Sequence, residues 1–183
     1  MRLATKHYAV LTTGAALGLA AAFLQTVEKV QLLKNENAAL PCDLNSVFSC
    51  SAVLSAPQSS LLGFPNSLIC MVMFTFLLTV GIVGLTGTRL HPRLLRVTHG
   101  VALFMLAFAL WFLATSTFVI NAVCIFCVVC FVGLLLVNHA LLRITPYSFS
   151  ERPLFKALQT YAPLGWSILA AIVASMIVVR FYL

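Results

Sequence analysis

The stretch "VINAVCIFCVVCFVG", residues 119–133, places Cys124, Cys127 and Cys130 at a spacing of three within an otherwise apolar run. On a helix, residues three apart share one face with Cβ atoms about 5–6 Å apart, so Cys124 and Cys127 are within reach of a disulfide. In the first turns of a helix, the positive end of the dipole also favours the nucleophilic thiolate. The spacing therefore predicts a dithiol suited to thiol–disulfide exchange.

The surrounding composition indicates an all-α integral membrane protein of one domain. Of the 183 residues, 62% are hydrophobic and only 8% are charged, whereas soluble domains carry about 25% charged residues. A membrane helix needs about 20 mostly apolar residues. Five segments meet this requirement, at Tyr8–Val27, Phe64–Leu85, Val97–Phe118, Ala122–Leu142 and Ala162–Arg180. The first also resembles a secretory signal peptide, but its apolar run is long for one, and we expect it to remain as an anchor.

The basic residues are distributed asymmetrically about these spans. With the N-terminus in the cytoplasm, eight fall on the cytoplasmic side and three on the other, which agrees with the positive-inside tendency. The eight are Arg2, Lys6, Arg89, Arg93, Arg96, Arg143, Arg152 and Lys156; the three are Lys29, Lys34 and Arg180. The net charge of +7 thus has a cause other than nucleic-acid binding, and we expect no nucleic-acid partner.

This orientation places the loop 28–62, with Cys42 and Cys50, on the extracytoplasmic side together with Cys124 and Cys127. Disulfides persist on that side of a bacterial membrane. On spacing alone, Cys42 and Cys50 form either a static disulfide or a redox pair on a mobile segment. The residues after Cys42, "SVFSCSAVLSA" at 46–56, predict a short amphipathic helix that covers the outer end of the spans.

Other interpretations of the cysteine triplet are less favourable. An iron–sulfur cluster would need a fourth cysteine ligand at the proper spacing, and zinc would need further ligands, whereas all four histidines fall toward the cytoplasmic side. We expect no metal. Cys130, and Cys70 in the second span, are interpreted as small apolar packing residues.

Three motifs together resemble the vitamin K epoxide reductase (VKOR) family. They are "CDLNSVFSCSAVLS" at 42–55, "LLGFPNSL" at 61–68 and "CIFC" at 124–127, and the resemblance covers about residues 8–143. It implies a four-helix bundle around a quinone site, here with a fifth transmembrane helix. The fifth span and the lack of a fused thioredoxin-like domain resemble the bacterial branch, which oxidises a separate thioredoxin-like dithiol protein at the extracytoplasmic side of the inner membrane.

The resemblance assigns a role to each of five residues. Cys42 would exchange with the partner protein, and Cys50 would attack the membrane pair at Cys124. Cys127 would face the quinone. Asn66 would hydrogen-bond a quinone carbonyl, although the residues alone also allow a capping or turn role.

The resemblance also bears on the substrate. Phe64, Phe126 and Phe131 are candidates for an aromatic wall beside a flat quinone ring, and Phe131 stands where vertebrate members carry a tyrosine. Without that hydroxyl, we favour reduction of menaquinone or ubiquinone over reduction of an epoxide. A vertebrate-type epoxide reductase and a non-enzymatic membrane subunit with structural disulfides are the alternatives.

Overall fold

The chain folds into an all-α bundle, as predicted. A computed structural model describes residues 2–35, 38, 40–147 and 152–182, so residues 36, 37 and 39 of the predicted cysteine loop lie outside the described residues. Within these described ranges, five helices are long and apolar enough to cross a membrane. The helices are α1 (Arg2–Lys34), α2 (Cys50–Ser55), α3 (Asn66–Leu85), α4 (Pro92–Thr115), α5 (Ile125–Ile144) and α6 (Pro153–Tyr182).

The helix α1 is the centre of the bundle, because it packs along both α3 and α5. A Cβ atom on Gly14 would lie 2.8 Å from the carbonyl oxygen of Gly133, and one on Gly133 would lie 2.7 Å from that of Gly14. The absence of a side chain at both Gly14 and Gly133 lets the backbones of α1 and α5 approach this closely, as small residues do at many membrane helix crossings. The helix α4 also packs against α5.

The helix α6 lies at the periphery and contacts mainly α5. Its large apolar side chains are mostly exposed, Leu154 at 83% and Ile172 at 57% among them. An apolar surface of this kind on a long helix suits lipid.

Three helices are longer than the predicted spans, among them α4, which begins at Pro92 instead of Val97. The helix α1 continues past Val27 to Lys34, and α6 begins at Pro153, well before Ala162. Hydropathy marks where apolar residues end, but a helix continues wherever its polar residues find partners. Glu28 and Lys29, which the sequence assigned to the loop, therefore lie buried on a helix.

The cysteine loop folds back over one end of the bundle. The predicted amphipathic helix is interrupted, because Pro57 forces Ala56 into an extended conformation (φ −65°, ψ 142°). The result is the short helix α2, followed by a 3-10 turn at Pro57–Ser60. Val53 and Leu54 of α2 are buried, at 0% and 2% exposure. This segment therefore covers the end of the bundle, as the sequence predicted.

Candidate active site

The cysteine loop carries a buried disulfide. Cys42 and Cys50 are joined, and their exposures are only 5% and 0%. Cys50 is the first residue of α2, whose preceding residue, Ser49, accepts a hydrogen bond from the Ala52 amide. Asp43 accepts hydrogen bonds from the Ser49 hydroxyl and from a backbone amide in the first turn of α2, each at 3.0 Å. These bonds fix the position of Cys50 relative to the loop.

The loop disulfide lies against a cysteine from a distant part of the chain. The Sγ atom of Cys50 is 3.3 Å from that of Cys124, which is also fully buried. The Val123 amide donates a 2.8 Å hydrogen bond to the Val47 carbonyl, and Phe48 forms a parallel β-bridge with Val123. This pairing of the loop with the segment before α5 brings the two sulfur atoms together.

Cys124 precedes α5 instead of standing within it, which corrects the helical position expected from the spacing. It is the N-cap residue, with an extended backbone (φ −89°, ψ 124°). Its carbonyl accepts hydrogen bonds from the amides of Cys127 and Val128 at 3.1 and 3.3 Å. Cys124 and Cys127 are both free thiols in this structure.

The surroundings of Cys124 favour its thiolate. A hydrogen bond from the Cys127 thiol is the largest cause that lowers the pKa of Cys124; burial opposes it, and the backbone amides of Cys127 and Phe126 add to the lowering. Amides at a helix N-terminus stabilise a negative charge. Cys124 is therefore suited to act as nucleophile or leaving group.

Cys127 faces an apolar cavity beneath α2. The cavity is lined by residues of α1, α3, α4 and α5 and by Leu54, Ser59 and Pro65. Asn66 also lines it; its amide nitrogen donates to the Gln58 carbonyl at 2.7 Å, and its oxygen accepts from the Leu61 amide at 3.2 Å. Asn66 thus holds the turn before α3, and among the described residues it uses one of its two amide hydrogens.

The aromatic residues at the cavity differ from the predicted ones. Neither Phe64 nor Phe131 is among the lining residues: Phe64 is 42% exposed, and Phe131 is buried in the core at 2%. The aromatic side chains that line the cavity are Phe74, Phe108 and Phe112. Aromatic side chains from α3 and α4 therefore surround the space beside Cys127.

Cys70 and Cys130 line the same cavity. Both are free thiols, and the Cys130 sulfur lies 3.6 Å from the Gly18 carbonyl, to which it donates a weak hydrogen bond. Neither is within the group formed by Cys42, Cys50 and Cys124, and their packing roles remain a prediction.

Three polar residues of α1 belong to this site and were missed in the sequence. Gln25 donates from Nε2 to the Cys127 sulfur at 3.3 Å. The Oε2 atom of Glu28 lies 2.7 Å from the Cys42 sulfur. Lys29 donates from Nζ to the Leu54 carbonyl and to the Ser59 hydroxyl. Their spacing was the available indication, since positions i, i+3 and i+4 share one helix face.

Comparison with known proteins identifies a family. The family model described as the vitamin K epoxide reductase family matches residues 9–142. This range contains α2, α3 and α4, most of α1 and α5, and all six cysteines. No curated protein and no solved structure matches the chain.

Proposed function

The chain belongs to the vitamin K epoxide reductase family, and on this basis we propose that it is a membrane thiol–disulfide oxidoreductase that passes electrons from a dithiol protein to a membrane quinone. The observation that carries the proposal is the 3.3 Å separation of the Cys50 and Cys124 sulfur atoms, together with the position of Cys127 at the apolar cavity. One cysteine pair thus lies in the loop that covers the end of the bundle, and Cys127 of the other lies beside an apolar cavity.

The first part of the reaction takes place at the loop. A thiolate of a thioredoxin-like partner attacks Cys42, forming a mixed disulfide and releasing Cys50. The partner's second thiolate then attacks the partner sulfur that is bonded to Cys42, which forms the partner's disulfide and releases Cys42. The partner leaves oxidised, and the loop pair holds two electrons as thiols. Each step breaks one S–S bond and forms another.

The second part transfers these electrons inward. Cys50 attacks Cys124 in the Cys124–Cys127 disulfide, which releases Cys127 as a thiolate at the cavity. Cys42 then attacks Cys50 and releases Cys124. The loop disulfide is restored, and Cys124 and Cys127 are reduced. The structure has this pattern of bonds, with Cys42 and Cys50 joined and the other four cysteines free.

The acceptor proposed for the cavity is a quinone, either menaquinone or ubiquinone. The cavity's apolar lining suits a lipid-soluble ring, and Asn66 and Gln25 offer amides beside Cys127. When bound, the quinone would take two electrons and two protons as the Cys124 and Cys127 thiols form a disulfide. Asn66 would orient the ring, and Gln25 would stabilise the Cys127 sulfur that faces it, while α2 excludes water.

Membership of the family and five apolar helices make this a multi-pass membrane protein. We place the N-terminus in the cytoplasm and the cysteine loop on the extracytoplasmic side of the cytoplasmic membrane. This placement follows from the distribution of basic residues. It gives the loop access to an oxidising compartment, where a partner dithiol would be oxidised and protein disulfides formed.

The test is anaerobic mixing of the purified, fully reduced protein with each quinone, followed by counting of free thiols and quinol. Two to four thiols should be lost per chain, with one quinol formed for every two thiols. A chain that reduces an epoxide but no quinone would support the vertebrate-type activity instead. Thiols that do not change with either substrate would indicate structural disulfides and contradict both enzymatic functions.

A further inference from the structure

Glu28 is a buried carboxyl group in contact with a sulfur of the loop disulfide. It is 6% exposed, and its Oε2 atom lies 2.7 Å from Sγ of Cys42. The chain has only four acidic residues, and burying a carboxyl group at the end of a membrane helix is costly, so such residues commonly mark functional sites. The neighbouring Lys29 hydrogen-bonds α2 and the turn that follows it. Lys29 is thus bonded to α2 and its following turn, whereas the Glu28 carboxyl group contacts Cys42.

The contact itself indicates where a proton lies. A sulfur in a disulfide carries no hydrogen, and an ionised carboxylate is only an acceptor. With the loop oxidised, a contact this close is favourable when Glu28 is protonated and donates to the sulfur. When Cys42 is reduced, its thiol can carry that proton and donate it in a hydrogen bond to the Glu28 carboxylate.

We propose that Glu28 is the general base that activates Cys42 when the loop disulfide is restored. The inference rests on the proposed function, because it assigns a proton transfer to one of its steps. In that step, Glu28 removes the proton from the Cys42 thiol, and the thiolate attacks Cys50. The Cys42–Cys50 bond forms, the Cys50–Cys124 bond breaks, and Cys124 leaves as a thiolate. No external oxidant is needed, and the proton ends on the Glu28 carboxyl.

The other ionisable groups near Glu28 have different tasks. Asp43 of the loop and Cys124 before α5 interact with Glu28 electrostatically. Burial raises the pKa of Asp43, but hydrogen bonds from Ser51 and Ser49 outweigh it and hold this pKa below its usual value. Asp43 thus remains ionised near neutral pH. On α2, the group that faces the site is Cys50, which is the sulfur under attack.

The experiment follows disulfides during one turnover. The fully reduced protein is mixed anaerobically with a quinone, quenched in acid at intervals, alkylated and analysed by non-reducing mass spectrometry. In Glu28→Gln, the Cys50–Cys124 disulfide should accumulate with Cys42 alkylated, and its conversion to Cys42–Cys50 should be about 100-fold slower than in the native chain. Raising the pH toward about 8.5, where a thiol ionises unaided, should restore much of the rate.

Two further variants complete the test. Asp43→Asn is the matched control; it removes a nearby carboxylate that bonds Ser49 and the α2 amide instead of sulfur, and should keep the native pH dependence. Glu28→Asp retains a carboxylate farther from sulfur, and should slow the step less than Glu28→Gln while also keeping that pH dependence. It provides the comparison if the glutamine variant does not fold.

The outcomes separate this inference from the proposed function. If the native chain passes electrons from the loop to quinone and Glu28→Gln matches its rate and pH profile, the general-base role is wrong and the proposed function stands. If Glu28→Gln does not fold, a Glu28→Asp variant at the native rate overturns the role. If the native chain transfers no electrons from Cys42 and Cys50, both are wrong.

Discussion

The sulfur atoms of Cys50 and Cys124 lie 3.3 Å apart, although 74 residues separate them in the chain. Their contact is made between the first residue of α2 and the residue that precedes α5. Both are fully buried. The proposed exchange between them would therefore need no large movement of the loop and would take place away from water.

This contact predicts a trapped intermediate in Cys127→Ala. In this variant the Cys124 thiolate attacks Cys50 of the loop disulfide, so the Cys50–Cys124 bond forms as the Cys42–Cys50 bond breaks. Without Cys127, Cys124 loses its hydrogen-bond donor and becomes a poorer leaving group, so this disulfide should accumulate with Cys42 free for alkylation. Cys124→Ala is the control and should retain Cys42–Cys50 or a disulfide with the partner. Non-reducing mass spectrometry distinguishes these species. Normal turnover in Cys127→Ala with only Cys42–Cys50 present would show that the loop does not feed the membrane pair.

The lowered pKa of Cys124 predicts the pH dependence of its reactivity. The thiolate fraction falls as the pH drops through the pKa, so alkylation of Cys124 in the reduced protein should persist at lower pH than for an ordinary cysteine. Cys127→Ala removes the largest cause of the lowering and should move the midpoint upward. Cys127→Ser keeps a donor and should lie between them. Peptide mass spectrometry after timed alkylation gives the midpoints; identical values in all three proteins would contradict this cause.

Gln25 is expected to act on the quinone step alone. Its amide donates to the Cys127 sulfur at 3.3 Å, and a hydrogen bond to a charged group contributes about 1.5–3 kcal/mol. Gln25→Leu should therefore lower kcat with quinone about 10- to 100-fold. Exchange between the loop disulfide and a small dithiol should stay at the native rate, because that reaction involves Cys42 and Cys50. A native kcat in Gln25→Leu would exclude a role for the amide.

The crossing of α1 and α5 predicts a large effect of one methyl group. In Gly133→Ala the new Cβ would meet the Gly14 carbonyl at 2.7 Å, and overpacking of this kind costs about 1–3 kcal/mol of unfolding free energy. The control is Gly165→Ala on α6, where nothing lies within 4 Å of the added atom. Thermal unfolding in detergent should show a lower midpoint for Gly133→Ala only. Equal midpoints for the two variants would mean that the helices separate easily.

The proposed orientation predicts which surface positions can be labelled in intact cells. Leu44 in the cysteine loop is 63% exposed, and Thr88 between α3 and α4 is exposed at the opposite end of the bundle. In a chain without native cysteines, Leu44→Cys should react with a membrane-impermeant thiol reagent in intact cells. Thr88→Cys should react only after lysis. The reverse pattern would invert the topology and remove the extracytoplasmic partner.

The sequence by itself determined the membrane class, the approximate number of spans and the four cysteines proposed to react. These properties depend on local patterns: apolar runs of bilayer length, and cysteines at short spacings. The same local reasoning placed Cys124 within a helix, whereas its capping position depends on the chain before it. It also ended the first span at Val27, since hydropathy does not record partners for polar residues.

Only the tertiary structure decided which sulfur atoms meet and which polar residues join them. The pairing of Phe48 with Val123 sets Cys50 against Cys124, and no pattern within either segment specifies it. The extension of α1 brings Gln25 and Glu28 to the two cysteine pairs. In the sequence these residues mark the end of an apolar run; in the fold they are buried, because α1 is the helix against which α3 and α5 both pack.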